Sequence, residues 1–162
     1  MDSELLRAFL LLVLGGLGGY AVRTIEFRRQ QKKEKKAELR ANLNELHAGV
    51  LQVAHSFSKF ATGINEYAHG EHKDLTPMLA ISKFTQPSSE KMADLHSLQR
   101  RYAPEFTESW VSVKNAEEKL YVTGAQVLVN QNAIAEITNS LNLLNRNLDL
   151  FARNIEEKIS GL

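Results

Sequence analysis

The chain contains no cysteine. That absence excludes a disulfide framework, thiolate catalysis and a lipidated cysteine, and it leaves the compartment open. Proline is scarce, with only Pro77, Pro87 and Pro104, so the long stretches on either side carry none of the strongest helix breaker. No segment has the alternating pattern of a strand. A glycine-rich phosphate loop, a Ser/His/Asp arrangement in strand–turn context and paired carboxylates in a cleft are likewise missing. No enzymatic activity and no cofactor are expected.

What is abundant is helical periodicity. From Val113 the seam positions run Ala116, Leu120, Thr123, Val127, Asn130, Ile134, Ile137, Leu141, Leu144, Leu148, Phe151, Ile155, Lys158 and Leu162, most of them apolar. This alternation of three and four residues sets one seam of an α-helix against a partner helix. No proline interrupts it, and Gly124 is its one glycine before Gly161. A second seam comprises Leu39, Leu43, Leu46, Val50, Val53, Phe57, Phe60, Ile64 and Tyr67. Gly49 and Gly63 lie off or beside it, where they permit close approach of a neighbouring helix. The fold class is therefore all-α, a long-helix coiled coil or helical bundle behind an N-terminal apolar segment.

That segment, Leu5 to Val22, is interrupted only by Arg7. Its eighteen residues rise about 27 Å, enough to cross a hydrocarbon core. A signal peptide wants a positive start, whereas this one begins with Asp2, Glu4 and a single Arg7. A buried core helix would not ordinarily run into a block of charge. Residues 23–40 hold eight Lys/Arg against three Glu, whereas residues 41–162 hold eleven Lys/Arg against fourteen Asp/Glu. The basic flank favours a single membrane span with the following domain in the cytoplasm, as at a bacterial inner membrane. Arg28, Arg29, Lys32, Lys33, Lys35 and Lys36 would then face anionic lipid headgroups. Gly15 and Gly19 match the small-residue spacing of associating membrane helices. Nucleic acid is not expected as a partner, because the basic block lacks interleaved aromatics and lies beside the bilayer.

The expected organisation is a tail and anchor over residues 1–22, a basic juxtamembrane helix over 23–38, and a helical domain over 39–162. Within the domain, helices are expected at about 39–68, 77–84, 89–102 and 104–160. Thr76-Pro77 starts one helix, Gln86-Pro87-Ser88-Ser89 breaks the chain, and Ala103-Pro104 separates the last two helices. Asn130 marks the choice left open at the end. It either sets register in an unbroken helix or begins a turn that yields a compact four-helix bundle. The unbroken phase and the lack of Gly or Pro at Asn130-Gln131-Asn132 favour the unbroken helix.

Candidate chemistry is thin. Glu66, His69, Glu71, His72 and Asp74 form the densest polar cluster, and Glu66-x-x-His69 has the spacing of a di-iron half-site. No other glutamate here has a histidine three residues on, so the cluster reads as a solvated helix end and no metal is expected. His47, His55 and His96 read as surface or boundary residues. In an unbroken last helix the first seam reaches only to about residue 141, so Leu144, Leu148, Phe151, Ile155 and Leu162 would outrun it and stay wet, and the association stripe is expected from Leu141 onward. Self-association through that stripe is expected, with partner proteins recruited through the seams. Two functional classes follow: a membrane-anchored scaffold or adaptor, and a sensory or regulatory bundle. The second requires a pocket lined by convergent polar groups.

Overall fold

The computed structural model describes residues 3–72, 74–130 and 134–162, with side chains from Val22 onward. The described chain is built from four helices: α1 (Ser3–Ala68), α2 (Pro77–Tyr102), α3 (Thr107–Val129) and α4 (Ile134–Ser160). A single 3₁₀ turn, Pro104–Phe106, leads into α3. No strand occurs among the described residues. Two compact units divide between Leu39 and Arg40.

The first unit is the N-terminal part of α1. The basic segment 23–38, expected as a separate helix, belongs to the same continuous helix as the first seam. Nothing in its sequence stops it, since Lys, Glu, Gln and Arg are all good helix formers and no proline intervenes. Val22, Ile25 and Phe27 are exposed. Among the described residues no helix is long and apolar enough to cross a membrane. The run Leu5–Val22 lies, up to Ala21, outside the residues whose side chains are described.

The second unit is an antiparallel four-helix bundle. Its directions follow from the contacts. Gly49 faces Leu95 and Leu98, and Gly63 faces Phe84, so α2 descends along α1. Ser88 meets Tyr121 and His96 stacks on Trp110, so α3 ascends along α2. Ser109 bonds Asn154 and Thr123 bonds Ser140, so α4 descends along α3. His47 pairs with Glu156, which returns α4 to α1. The Phe57 and Phe60 rings pack on Tyr121 across the centre, at 5.5 and 5.4 Å between centroids.

The first seam is the core of α1: Leu43, Leu46, Val50, Val53, Phe57, Phe60 and Ile64 are all buried. Each such side chain removed from water contributes about 1.5–3 kcal/mol. The second seam does not continue as one helix. It ends at Asn130, whose backbone is extended (φ −137°, ψ 100°) and whose N–H donates to Gln126 O. It resumes in α4 from Ile134. The expectation of one helix over 104–160 is therefore corrected to a hairpin. Folding back sets Val113, Ala116, Leu120, Thr123 and Val127 against Ile137, Leu144, Leu148, Phe151 and Ile155, and all of these are buried. The gain in buried apolar area outweighs the few backbone hydrogen bonds a turn gives up. Asparagine is suited to such a break because its short amide competes with helical backbone bonding.

The expected break at Gln86–Ser89 is also absent, because α2 runs through Pro87. Proline inside a helix removes the bond to the carbonyl four residues back and crowds it. Here the buried positions Ala80, Ser88, Met92, Leu95 and Gln99 form one stripe that crosses Pro87. Breaking the helix would detach Ala80, and the turn that carries Phe84, from the rest of that stripe. Ser88 Oγ donates to Thr85 O at 2.9 Å and meets Tyr121 Oη at 3.1 Å, which fastens the turn beside the proline.

Candidate functional site

The seam that packs α1 on α2 is lined on the α1 side by small residues. Gly49, Ser56 and Gly63 recur every seven residues, so all three share a face. A Cβ at Gly63 would stand 2.6 Å from the Phe84 ring, which shows how closely that ring lies on α1. Ser56 Oγ donates to Val53 O, which leaves its small side chain held against its own helix. Small residues here and Pro87 opposite leave a groove where larger side chains would have met.

The groove has two halves. One, of about 350 Å³, is lined by Gln52, His55, Ser56, Lys59, Phe60, Lys83, Phe84, Pro87 and Lys91. Its apolar lining residues are Phe84 and Pro87, with Phe60 buried beneath. Its rim carries three lysines and no carboxylate. None of the three lysines is in an ion pair among the described residues, and Lys83 Nζ lies 6.0 Å from the Phe84 ring centroid. The other half, of about 400 Å³, shares Gln52 and Lys91 and adds Glu45 and Asp94. Charge is thus graded along the groove, basic around Pro87 and acidic one to two turns further along α2.

The residues singled out from sequence are distributed differently. Arg28, Arg29, Lys32, Lys33, Lys35 and Lys36 are exposed on α1. Gly15 and Gly19 lie outside the described side chains. Asn130 sits at the α3 terminus and is exposed. Leu141 is half-buried, and Leu144, Leu148, Phe151 and Ile155 are buried to 1% exposure or less. The last four cannot form an outward stripe for association, because α3 already covers them. They would be wet only on one straight helix, which α3 and α4 do not form.

The polar cluster at the end of α1 is occupied with its own chain. His69 Nδ1 meets Asn65 O at 2.7 Å, and His72 Nε2 meets Glu66 Oε2 at 3.4 Å. Among the described residues no group of three or more His, Asp or Glu could hold a metal ion. His96 stacks on Trp110, whose ring also touches Phe151. Glu117 is buried beside Lys114, with which it pairs. Tyr121, between α1 and α2, has its phenol pushed up to about 12 by burial. The nearby Glu117 carboxylate raises it further, and the Ser88 hydroxyl, able to turn and donate to a phenolate, pulls the other way.

Sequence reading missed the groove. Its lysines are scattered over two helices, and a proline in a polar run signals a chain break by the local rule. The heptad recurrence of Gly49, Ser56 and Gly63 was the available signal. No protein-family model matches the chain, and neither a curated protein nor a solved structure matches it.

Proposed function

We propose that the chain is a non-enzymatic, single-pass membrane-tethered helical bundle that acts by binding at the cytoplasmic face, as a scaffold or adaptor. The observation that carries this reading is the order along α1. An apolar run of span length, a block of eight Lys/Arg against three Glu, and the buried first seam follow one another. The exposed Val22, Ile25 and Phe27, directly before the six clustered basic residues, add support. Apolar side chains followed by Lys and Arg suit the boundary between hydrocarbon and headgroups. Partners would meet the outer faces of the bundle rather than its seams, which the bundle itself consumes. Any association within the membrane falls to the Gly15 and Gly19 face.

The absence of cysteine provides a clean test. Ser3→Cys and Ser160→Cys each introduce a single thiol into the full chain. With a membrane-impermeant maleimide on intact spheroplasts, the thiol at position 3 should label and that at position 160 should label only after lysis. The reverse pattern would overturn the orientation, and release of the chain by alkaline carbonate would overturn the tether.

A second reading is favoured by one specific feature. The groove between α1 and α2 is a concave, partly apolar site with convergent polar groups, the feature a sensory bundle requires. A ligand seated there would contact both helices and so could bias their packing.

A further inference from the structure

We propose that the Pro87 half of the groove is a binding site for a small amphipathic anion, a carboxylate, sulfonate or phosphate ester on a flat aromatic or short acyl body. This deepens the sensory reading and rests on it only in treating the bundle as a binding module. All lining residues lie in the Arg40–Leu162 unit, so the site does not depend on the membrane tether.

The apolar body is specified by the floor. Phe84 and Pro87, with Phe60 buried beneath them, are the apolar residues lining a groove of about 350 Å³, within the range of ordinary ligand pockets, roughly 300–1,000 Å³. Phe60 is held by the Tyr121 ring in an edge-on contact, and Phe84 lies close against Gly63. The floor is therefore largely formed before any ligand arrives. The charge is specified by the rim. Lys59 from α1 and Lys83 and Lys91 from α2 approach the same concavity with no described carboxylate partner. Like charges brought together around a low-dielectric floor repel one another, and an anion between them relieves that repulsion. His55 adds a further donor on the same rim.

Position along the groove is specified as well. Glu45 and Asp94 line the adjoining half, and their carboxylates disfavour an anionic head there. A bound anion is thereby confined to the lysine end, with its body over Phe84 and Pro87. A cation of the same shape would lose the lysine contacts and meet repulsion. Discrimination between the two is thus the signature of the site rather than affinity alone.

The test uses the full chain in zwitterionic lipid nanodiscs, with empty nanodiscs subtracted, titrated calorimetrically with naphthalene-2-sulfonate. A naphthyl trimethylammonium of the same ring system is the control. The sulfonate should bind and the ammonium should not. Lys83→Glu combined with Lys91→Glu should weaken the sulfonate by about tenfold or more, since two exposed charge contacts together amount to on the order of 1.4 kcal/mol. Lys119→Glu, on the outer face of α3, should leave it unchanged. Ser56→Phe fills the groove without altering a charge and should also abolish binding while helix content stays the same. Equal binding of both ions, or sulfonate binding untouched by the lysine and Ser56 variants, would overturn the proposal. Repeating the titration in nanodiscs containing phosphatidylglycerol separates the two sources of such an anion. Competition identifies a lipid headgroup, and unchanged binding identifies a soluble ligand. Because labelling topology is read separately, failure of the tether and failure of the site are distinguishable.

Discussion

Gly124 and Tyr121, one turn apart on α3, show how single residues set the centre of the bundle. A Cβ at Gly124 would lie 2.7 Å from Phe60 Cζ and 3.2 Å from Cε1. Phe60 cannot readily withdraw, since it is buried and its ring is packed on Phe57 and Tyr121. Replacing a helical glycine by alanine normally gains up to about 1 kcal/mol. Overpacking a fixed core costs about 1–3 kcal/mol. The second effect should win at this site, so Gly124→Ala is expected to lower unfolding free energy in urea. At Gly49 the near neighbours are the methyl ends of Leu95 and Leu98, at 3.1 and 3.6 Å, and the groove of about 400 Å³ that all three line leaves those methyls room to shift. Gly49→Ala is therefore expected to be neutral or stabilising, and the pair of variants separates packing from propensity. Tyr121 supplies a pH test. Below about pH 10, the ordinary phenol value, the group is neutral both folded and unfolded. As pH rises from there towards about 12, the unfolded chain releases the proton while the folded chain retains it. Stability should thus fall with rising pH across that window and flatten beyond it. Phenolate absorbance should show a late step near pH 12 that Tyr121→Phe removes, and a chain lacking that step would contradict the burial.

Element by element, what could be read from sequence was whatever periodicity alone determines. The first seam is buried as spaced from Leu43 to Ile64, with its end residues Leu39 and Tyr67 half-buried, because a helix face needs no knowledge of its neighbour to be recognised. The start of α2 was equally plain. Thr76 caps it, with Oγ1 accepting from Leu79 N, and Pro77 occupies the first turn. Periodicity failed where it had to decide between a helix and a hairpin. The seam keeps its alternation of three and four from Val113 through Asn130 to Leu162, yet α3 ends at Val129. Both halves present a stripe, and in an antiparallel hairpin each stripe serves the other whatever the phase at the turn. Only the tertiary partner distinguishes the cases, and a one-dimensional pattern does not contain it. Pro87 failed for the opposite reason. The local rule is sound, but the stripe from Ala80 to Gln99 is anchored on both sides of the proline, and tertiary burial overrides the local cost. The groove follows from that same override, since reading Pro87 as a break removes one wall. Its lysines, at 59, 83 and 91, become neighbours only once α1 and α2 are set antiparallel.

At the scale of the whole molecule, the hairpin changes what the bundle needs from other chains. Leu144, Leu148, Phe151 and Ile155 would drive association if they faced water, but α3 and its lead-in already cover them. Phe106 and Trp110 pack on Phe151, Ser109 bonds Asn154, and Glu105 pairs with Lys158. The unit from Arg40 to Leu162 therefore contains its own core, and its fragment is expected to sediment as a monomer. Leu148→Asp in that fragment places a carboxylate at a position 1% exposed. Burying an unpaired charge there costs several kcal/mol, a large share of a typical domain stability of about 5–15 kcal/mol. The variant should lose cooperative thermal unfolding and helical signal with no change of sedimenting mass in the folded reference. Leu143→Asp, five residues earlier on the exposed face of α4, should alter neither. If α4 instead served as an interface between chains, the wild-type fragment would sediment as a dimer or larger. Leu148→Asp would then yield a folded monomer, the opposite pairing of mass and helicity. Measuring both quantities on both variants thus decides whether the α4 stripe is the inside of one molecule or the contact between two.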